Sequence, residues 1–286
     1  RRNLIRPDQM PYRTAAGSTY DSGNFGELLD RALRLSDWDG FPSRREQSQV
    51  RGLLRGRGVA CHIDTTSGVD LAETATLRLL ADGTVELLSG TQAIGQGLAT
   101  AYAQIVAEHL HIAPDHVQVI QGDTSRVAGG GGTYGSRSLY LGGSAAQAVS
   151  QTLASQLITL AAEMFAVAPG ELVIDDGQIS VVGSTRAITF GELAERQPER
   201  CITCQEKVDA PYTFPNGCYV TEVEIDPATG ETKVVRMTAL DDVGRVINPM
   251  IVHGQAHGGL AQGIGQALWE HAQYDPASGQ LMIADT

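Results

Sequence analysis

Two glycine-dense stretches stand out in this chain for the chemistry they permit. The first is Gly90-Thr91-Gln92-Ala93-Ile94-Gly95-Gln96-Gly97, followed by an apolar-periodic run from Leu98 to His111. The second is Gly129-Gly130-Gly131-Gly132-Thr133-Tyr134-Gly135-Ser136-Arg137-Ser138, which leads into a longer periodic run. Glycine loses the most backbone entropy on folding, so clusters of it mark places where backbone approaches something closely. A helix N-terminus carries unpaired N–H groups and the positive end of the helix dipole, which suits a phosphate. The Gln96 amide adds donors and an acceptor for a heterocycle edge. Thr133, Ser136 and Ser138 add hydroxyls just ahead of a helix. Together these residue types point to a phosphate-bearing organic cofactor. Taken singly, Gly95-Gln96-Gly97 also suits a close-packed strand-to-helix turn, and Gly129 to Gly132 a flexible surface loop.

Other chemistries find less support. No Gly-Lys-Ser/Thr occurs, which excludes a P-loop, and no Gly-x-Gly-x-x-Gly follows a strand with an acidic residue at the right distance. The histidines (His62, His109, His111, His116, His253, His257, His271) form no close ligand set, and no Ser–His–acid set follows from spacing. Cys201-Ile-Thr-Cys204 has zinc or redox spacing without a second pair, so ordinary strand thiols are expected. No catalytic residue and no metal ligand is assigned within this chain.

The elements that must hold the two loops can be read from periodicity. Asn24 with Glu27 forms a capping-box pattern ahead of Phe25, Leu28, Leu29, Ala32 and Leu33 at helical spacing. A second helix is expected from Ser43 to about Leu54, then a strand over Gly58 to Ile63. Ala75 to Leu80 and Thr84 to Ser89 flank Ala81-Asp82-Gly83 as a hairpin. Val117 to Gln121 reads as a buried strand, and Ser138 to about Val167 as a helix stopped by Pro169-Gly170. A hairpin turning at Asp176-Gly177 and a short helix over Phe190 to Glu195 follow, and Pro198 marks a boundary. Strands over Cys218 to Ile225 and Lys233 to Leu240 then precede Gly254-Gln255-Ala256-His257-Gly258-Gly259, expected to open a third helix through Glu270. Gly254-Gln255 thus echoes Gly95-Gln96 as a weak internal repeat: hairpin, Gly-Gln loop, helix. Two such units would aim two glutamine amides and three helix N-termini at one ligand.

At 286 residues, with 42% hydrophobic and 19% charged residues, the chain suits a soluble globular protein of one large or two modest domains. The formal net charge is −12, and lysine is confined to Lys207 and Lys233, which argues against nucleic acid or anionic membrane as partner. No run of eighteen apolar residues occurs and no leader pattern opens the chain, so a cytoplasmic location is expected. The start at Arg1-Arg2-Asn3, without methionine, suggests a piece of something longer.

In their joint order these stretches resemble the molybdopterin-binding large subunit of the molybdenum hydroxylases, the family of xanthine dehydrogenase, aldehyde oxidase and aerobic carbon monoxide dehydrogenase. Arg2-Asn3-Leu4-Ile5, Met10-Pro11-Tyr12 and Tyr20-Asp21-Ser22-Gly23 are similar to its connecting segment. Gly90 to Gly97, Gly122-Asp123-Thr124 and Gly132 to Ser138 are similar to its cofactor loops. So are Asp242-Val243-Gly244-Arg245-Val246-Ile247-Asn248-Pro249, Gly254-Gln255 and Gly258-Gly259. The resemblance implies an α+β fold of two hairpin-plus-helix subdomains with mixed sheets packed on helices. The implied divisions are a connecting arm over 1–56, a first molybdopterin-binding subdomain over 57–198 and a second over 199–286. It implies Gly95, Gln96 and Gly97 at the pterin, with Thr133, Gly135, Ser136 and Ser138 on the phosphate side and Gln255 closing over the cofactor. That cofactor is molybdopterin, plain or as the cytosine dinucleotide, with iron–sulfur clusters and FAD on partner subunits or domains.

The implied reaction is oxidation or hydroxylation of an aldehyde or N-heterocycle with water-derived oxygen. The family's catalytic glutamate, in a Gly-Glu motif, is expected beyond Thr286, and its substrate-side loop before Arg1. This chain alone is therefore expected to be inactive. The cysteine loop that marks the carbon monoxide-oxidising members is not among these residues, which leaves carbon monoxide the least supported substrate. Two rival readings stand beside this one: a non-catalytic cofactor-carrying or assembly module completed by a second chain, and an unrelated phosphate-ligand binder.

Overall fold

The computed structural model describes residues 1–66 and 72–283. It is an α+β structure whose backbone divides into two compact units: Thr65–Thr213, and Arg1–Asp64 together with Phe214–Thr286. These differ from the three-way division expected at 56/57 and 198/199, because strand pairing crosses both points. One strand before residue 65 pairs with one after residue 213, and the strand after Pro198 pairs back with residues 72–80.

The unit that holds both chain ends begins with β1 (Tyr12–Arg13) and β2 (Thr19–Tyr20), then α1 (Phe25–Leu35) and α2 (Phe41–Val50). The Asn24 side chain accepts from the Glu27 N–H, the first half of the expected capping box; the Glu27 carboxylate instead meets Arg34, at 3.0 Å. α2 stops at Val50, four residues short of expectation. Gly52 takes a positive φ of 77°, and β3 (Leu54–Ile63) starts two residues later. The β3 strand runs antiparallel to β11 (Asn216–Ile225), which also pairs with β12 (Thr232–Asp242), giving the order β12-β11-β3. Ala32 of α1 is buried against Cys218 and Val220 of β11, with Leu28, Leu29, Leu33 and Leu240 around them.

The other unit is built on β4 (Ala72–Leu80), β5 (Val85–Ser89), α3 (Leu98–Leu110), β6 (Val117–Ile120) and α4 (Gly143–Phe165). After these come β7 (Leu172–Asp175), β8 (Gln178–Val181), β9 (Ala187–Thr189), α5 (Phe190–Glu195) and β10 (Cys201–Asp209). The main sheet has the order β10-β4-β5-β6; β7, β8 and β9 form a second. Alternate residues of β4 (Glu73, Ala75, Leu77, Leu79) are buried, and a strand's period of two puts them on one face. α3 and α4 cover that face through Tyr102, Val106, Leu110, Val149, Leu153 and Leu157. Each fully buried leucine there contributes about 1.5–3 kcal/mol.

One pairing positions the loops of interest. β5 and β6 are parallel, with Val85 opposite Val117 and Leu88 opposite Ile120. A parallel pair needs a crossover, and α3 supplies it. Residues 90–97 leave the carboxyl end of β5 and residues 121–125 leave the carboxyl end of β6. Both loops therefore emerge at the same edge, the side on which open α/β sheets bind ligands.

In the unit with both chain ends, α6 (Pro249–Leu268) begins five residues earlier than expected, because Asn248 caps it by accepting from Ile251 and Pro249 occupies the first turn. Among the described residues, no helix is long and apolar enough to cross a membrane.

Candidate functional site

The two glycine-rich loops are stapled to each other. The Thr133 hydroxyl accepts from the Gln92 N–H at 2.7 Å, donates to the Gln92 carbonyl at 2.8 Å, and accepts from the Ser138 hydroxyl at 2.8 Å. Beneath this staple runs a buried polar chain. The Tyr102 hydroxyl donates to the Ser138 carbonyl at 2.6 Å and lies 2.9 Å from the Thr91 hydroxyl, itself 2.8 Å from that of Ser89. Gln121, at the end of β6, donates to the Thr91 carbonyl at 2.8 Å. Burial pushes the Tyr102 phenol up to about 12, so it stays a neutral donor. Three loops (90–97, 121–125 and 129–138) are thus held at one edge of the sheet.

A second anchor holds the glycine run from below. Arg137 and Glu73 are both fully buried and meet at 2.7 Å. The Arg137 guanidinium also donates to the Gly132 carbonyl at 2.7 Å and the Ala72 carbonyl at 2.6 Å, while Glu73 accepts from the Gly131 N–H at 3.2 Å. The carboxylate enters the core because it occupies the inward phase of β4.

This anchor sorts the glycines into two kinds. A Cβ at Gly90 would lie 2.2 Å from the Gly130 Cα, and one at Gly131 would lie 2.4 Å from the Arg137 guanidinium. Those glycines let loop pack on loop. Gly95 (φ +109°) and Gly132 (φ +79°) instead have open space where a Cβ would stand, and Gly95 is exposed. Gly97 (φ 78°) caps α3 without a side-chain bond. Gly135 and Ser136 are left-handed, at 53° and 56°. Ser138 opens a π-helical turn, Ser138–Gly142, that leads into α4.

Seven of the eight sequence-predicted residues (Gly95, Gln96, Gly97, Thr133, Gly135, Ser136 and Ser138) share these loops. The two glutamines are placed differently. The Gln96 amide folds back onto its own loop, donating to the Gln92 carbonyl at 3.1 Å and accepting from the Ile94 N–H at 2.7 Å. Gln255 lies in the other compact unit, exposed, as the seventh residue of α6. It does not precede a helix, so the echo between Gly95-Gln96 and Gly254-Gln255 is one of sequence only. Capping at Asn248 is the reason.

Sequence reasoning missed Glu73, Thr91, Gln92, Tyr102 and Gln121. The legible signal was Glu73, a charge in phase with Ala75, Leu77 and Leu79. Tyr102 was indistinguishable from a core aromatic. Cys201 and Cys204 stand three apart on β10 and so point to opposite faces. Cys204 donates its thiol to Gln156 at 2.8 Å, inside the core.

The molybdopterin cofactor-binding domain family matches residues 31–286. The chain belongs to the molybdopterin-binding large-subunit family of the molybdenum hydroxylases. Within that family it is 35% identical to the carbon monoxide dehydrogenase large chain of Hydrogenophaga pseudoflava, over 98% of this chain and 38% of that one. It is 30% identical to the nicotine 6-hydroxylase large subunit of Paenarthrobacter nicotinovorans, over 97% of this chain and 36% of that one. Among solved structures, quinoline 2-oxidoreductase from Pseudomonas putida 86 superposes with a TM-score of 0.87 at 28% identity, over 99% of this chain and 38% of that one. The chain thus spans less than two fifths of the length of these relatives.

Proposed function

We propose that this chain contributes part of the molybdopterin cradle of an oxidoreductase acting on an aldehyde or N-heterocycle, with electrons passed to iron–sulfur and FAD partners. The observation that carries the proposal is the Thr133–Gln92 staple, which presents two glycine loops as one surface at the carboxyl ends of β5 and β6. The residues there suit a phosphate-bearing pterin. Gly95 leaves bare backbone for close approach, Ser136 brings an exposed hydroxyl, and α3 starts at a cap that gives its first N–H groups no side-chain acceptor. When bound, molybdopterin supplies the redox metal centre at which substrate is oxidised with water-derived oxygen. The chain's own residues bind and orient. Gln96 shapes the 92–96 loop from within, Gly95 and Gly97 offer backbone to the pterin, and Gly135 and Ser136 take the phosphate side, with Thr133 and Ser138 bracing that loop. In this reading the compact unit Thr65–Thr213 is the first binding subdomain, and Gln255 of α6 belongs to the second.

The relatives are named for carbon monoxide, nicotine and quinoline, so their names do not fix one substrate for this chain. Gln96→Ala and Gln255→Ala, made in the complete subunit, test the cradle. Each should lower molybdenum and pterin content about tenfold, as loss of one to two hydrogen bonds predicts, with an unchanged unfolding midpoint. Full molybdenum content in both variants would refute the assignment.

A further inference from the structure

Cys61 and Cys218 are directly opposed on the antiparallel pair β3 and β11. Their sulfurs are 3.4 Å apart. Directly opposed antiparallel residues place their Cα atoms about 4.5–5.5 Å apart, within the span of about 4.4–6.8 Å that disulfides take. Cys218 is fully buried among Ala32, Val220 and the α1 leucines, whereas Cys61 is exposed. Cys61 also lines a cavity of about 180 Å³ with Leu4, Ile5, Phe25 and Leu28, which gives a small molecule a path to its sulfur. We propose that Cys61 and Cys218 form a peroxide-sensitive thiol pair, closing to a cross-strand disulfide when a hydroperoxide enters that cavity.

The roles divide by environment. Reaction begins with the thiolate of the accessible cysteine, Cys61. Its sulfur attacks the peroxide, the O–O bond breaks, and Cys61 becomes a sulfenic acid while the other oxygen leaves as alcohol or water. The Cys218 sulfur then attacks the Cys61 sulfur. An S–S bond forms, the S–O bond breaks, and the departing hydroxide takes the Cys218 proton to leave as water. Two thiols and one hydroperoxide thus give one disulfide, one alcohol (or water) and one water. Burial and the neighbouring Cys61 push the Cys218 thiol up to about 12, so the first attack on the peroxide falls to Cys61 and not to Cys218. Cys201 and Cys204 cannot substitute for this pair, since one strand places them on opposite faces.

The test treats the purified full-length protein with hydrogen peroxide and then unfolds it under alkylating conditions. Thiols from this chain should fall from four to two, its mass should drop by about 2 Da, and the Cys61 and Cys218 peptides should be recovered linked. Dithiothreitol should restore all four thiols. In Cys61→Ser, whose site is exposed, Cys218 should stay alkylatable at peroxide doses that oxidise it fully in the parent. The proposal is overturned if peroxide leaves all four thiols free, if Cys61 goes to sulfinic acid while Cys218 stays a thiol, or if Cys218 oxidises equally in the Cys61→Ser protein.

Discussion

The two compact units each bury arginine–glutamate pairs, and they use them differently. In the unit Thr65–Thr213 the pair Arg137 with Glu73 is sealed from water, and Arg137 also bonds the backbone of the glycine run and of β4. In the unit with both chain ends, arginines from α2, β3 and the turn between them converge on two carboxylates of β11. Arg44 and Arg55 grip Glu222 at 2.6 Å each, and Arg55, Arg51 and the Ser48 hydroxyl surround Glu224. The first arrangement fixes the shape of one loop. The second clamps a helix to a sheet and shares each charge among several partners. A buried pair is costly to break one-sidedly because the orphaned charge stays desolvated. A shared and partly wet cluster can rearrange.

The largest expected effect separates the two. Arg137→Met strands Glu73 in the core and should cost about 3–5 kcal/mol in denaturant unfolding, with the 129–138 loop opened to proteolysis. A loss under about 1 kcal/mol would show that Glu73 finds another partner, and the contrast would fail. Glu222→Gln should cost less, about 1.5–3 kcal/mol, since neutral hydrogen bonds replace charged ones.

The same residue gives a pH signature. Burial works against the Glu222 charge, but Arg44 and Arg55 outweigh it, and the Ser48 hydroxyl with Arg51 and Arg55 does the same for Glu224. Both carboxyls therefore lie below the ordinary value of 4.5 in the folded chain. Their contribution is complete above that value and is lost as pH falls through the lower folded values. Glu222→Gln should flatten the fall in unfolding free energy below pH about 4.5. An unchanged acid limb would remove Glu222 from the cluster. The smallest effect belongs to Arg51→Met. Its side chain is 55% exposed and Glu224 keeps Arg55 and Ser48, so the cost should stay under about 1 kcal/mol and shrink with salt.

Much of the fold was legible because local chemistry and burial agreed. The hairpin turning at Asp176-Gly177 and the Phe190–Glu195 helix sit where turn residues and period placed them, the latter capped by Thr189 with Glu192. Misreadings occurred where a capping residue outweighed a glycine signal. Asn248 and Pro249 started α6 early, leaving Gln255 two turns inside it. Periodicity also gave no warning that β10 would join β4 or that β3 would join β11, since pairing across 120 or more residues leaves no local trace. That is why the divisions at 56/57 and 198/199 do not coincide with the compact units.

The same distinction applies to the candidate site. Residue type and order alone determined which loops are unusual and, through their sequence order, the family. These follow from backbone freedom and helix-terminus electrostatics, which are local properties. Only the folded chain decided which glycines face outward and which are packing glycines, that Gln96 serves its own loop, and that a buried tyrosine and ion pair hold the surface in place. Those outcomes depend on which strand lies beside which, and on a desolvated charge finding its partner from 64 residues away.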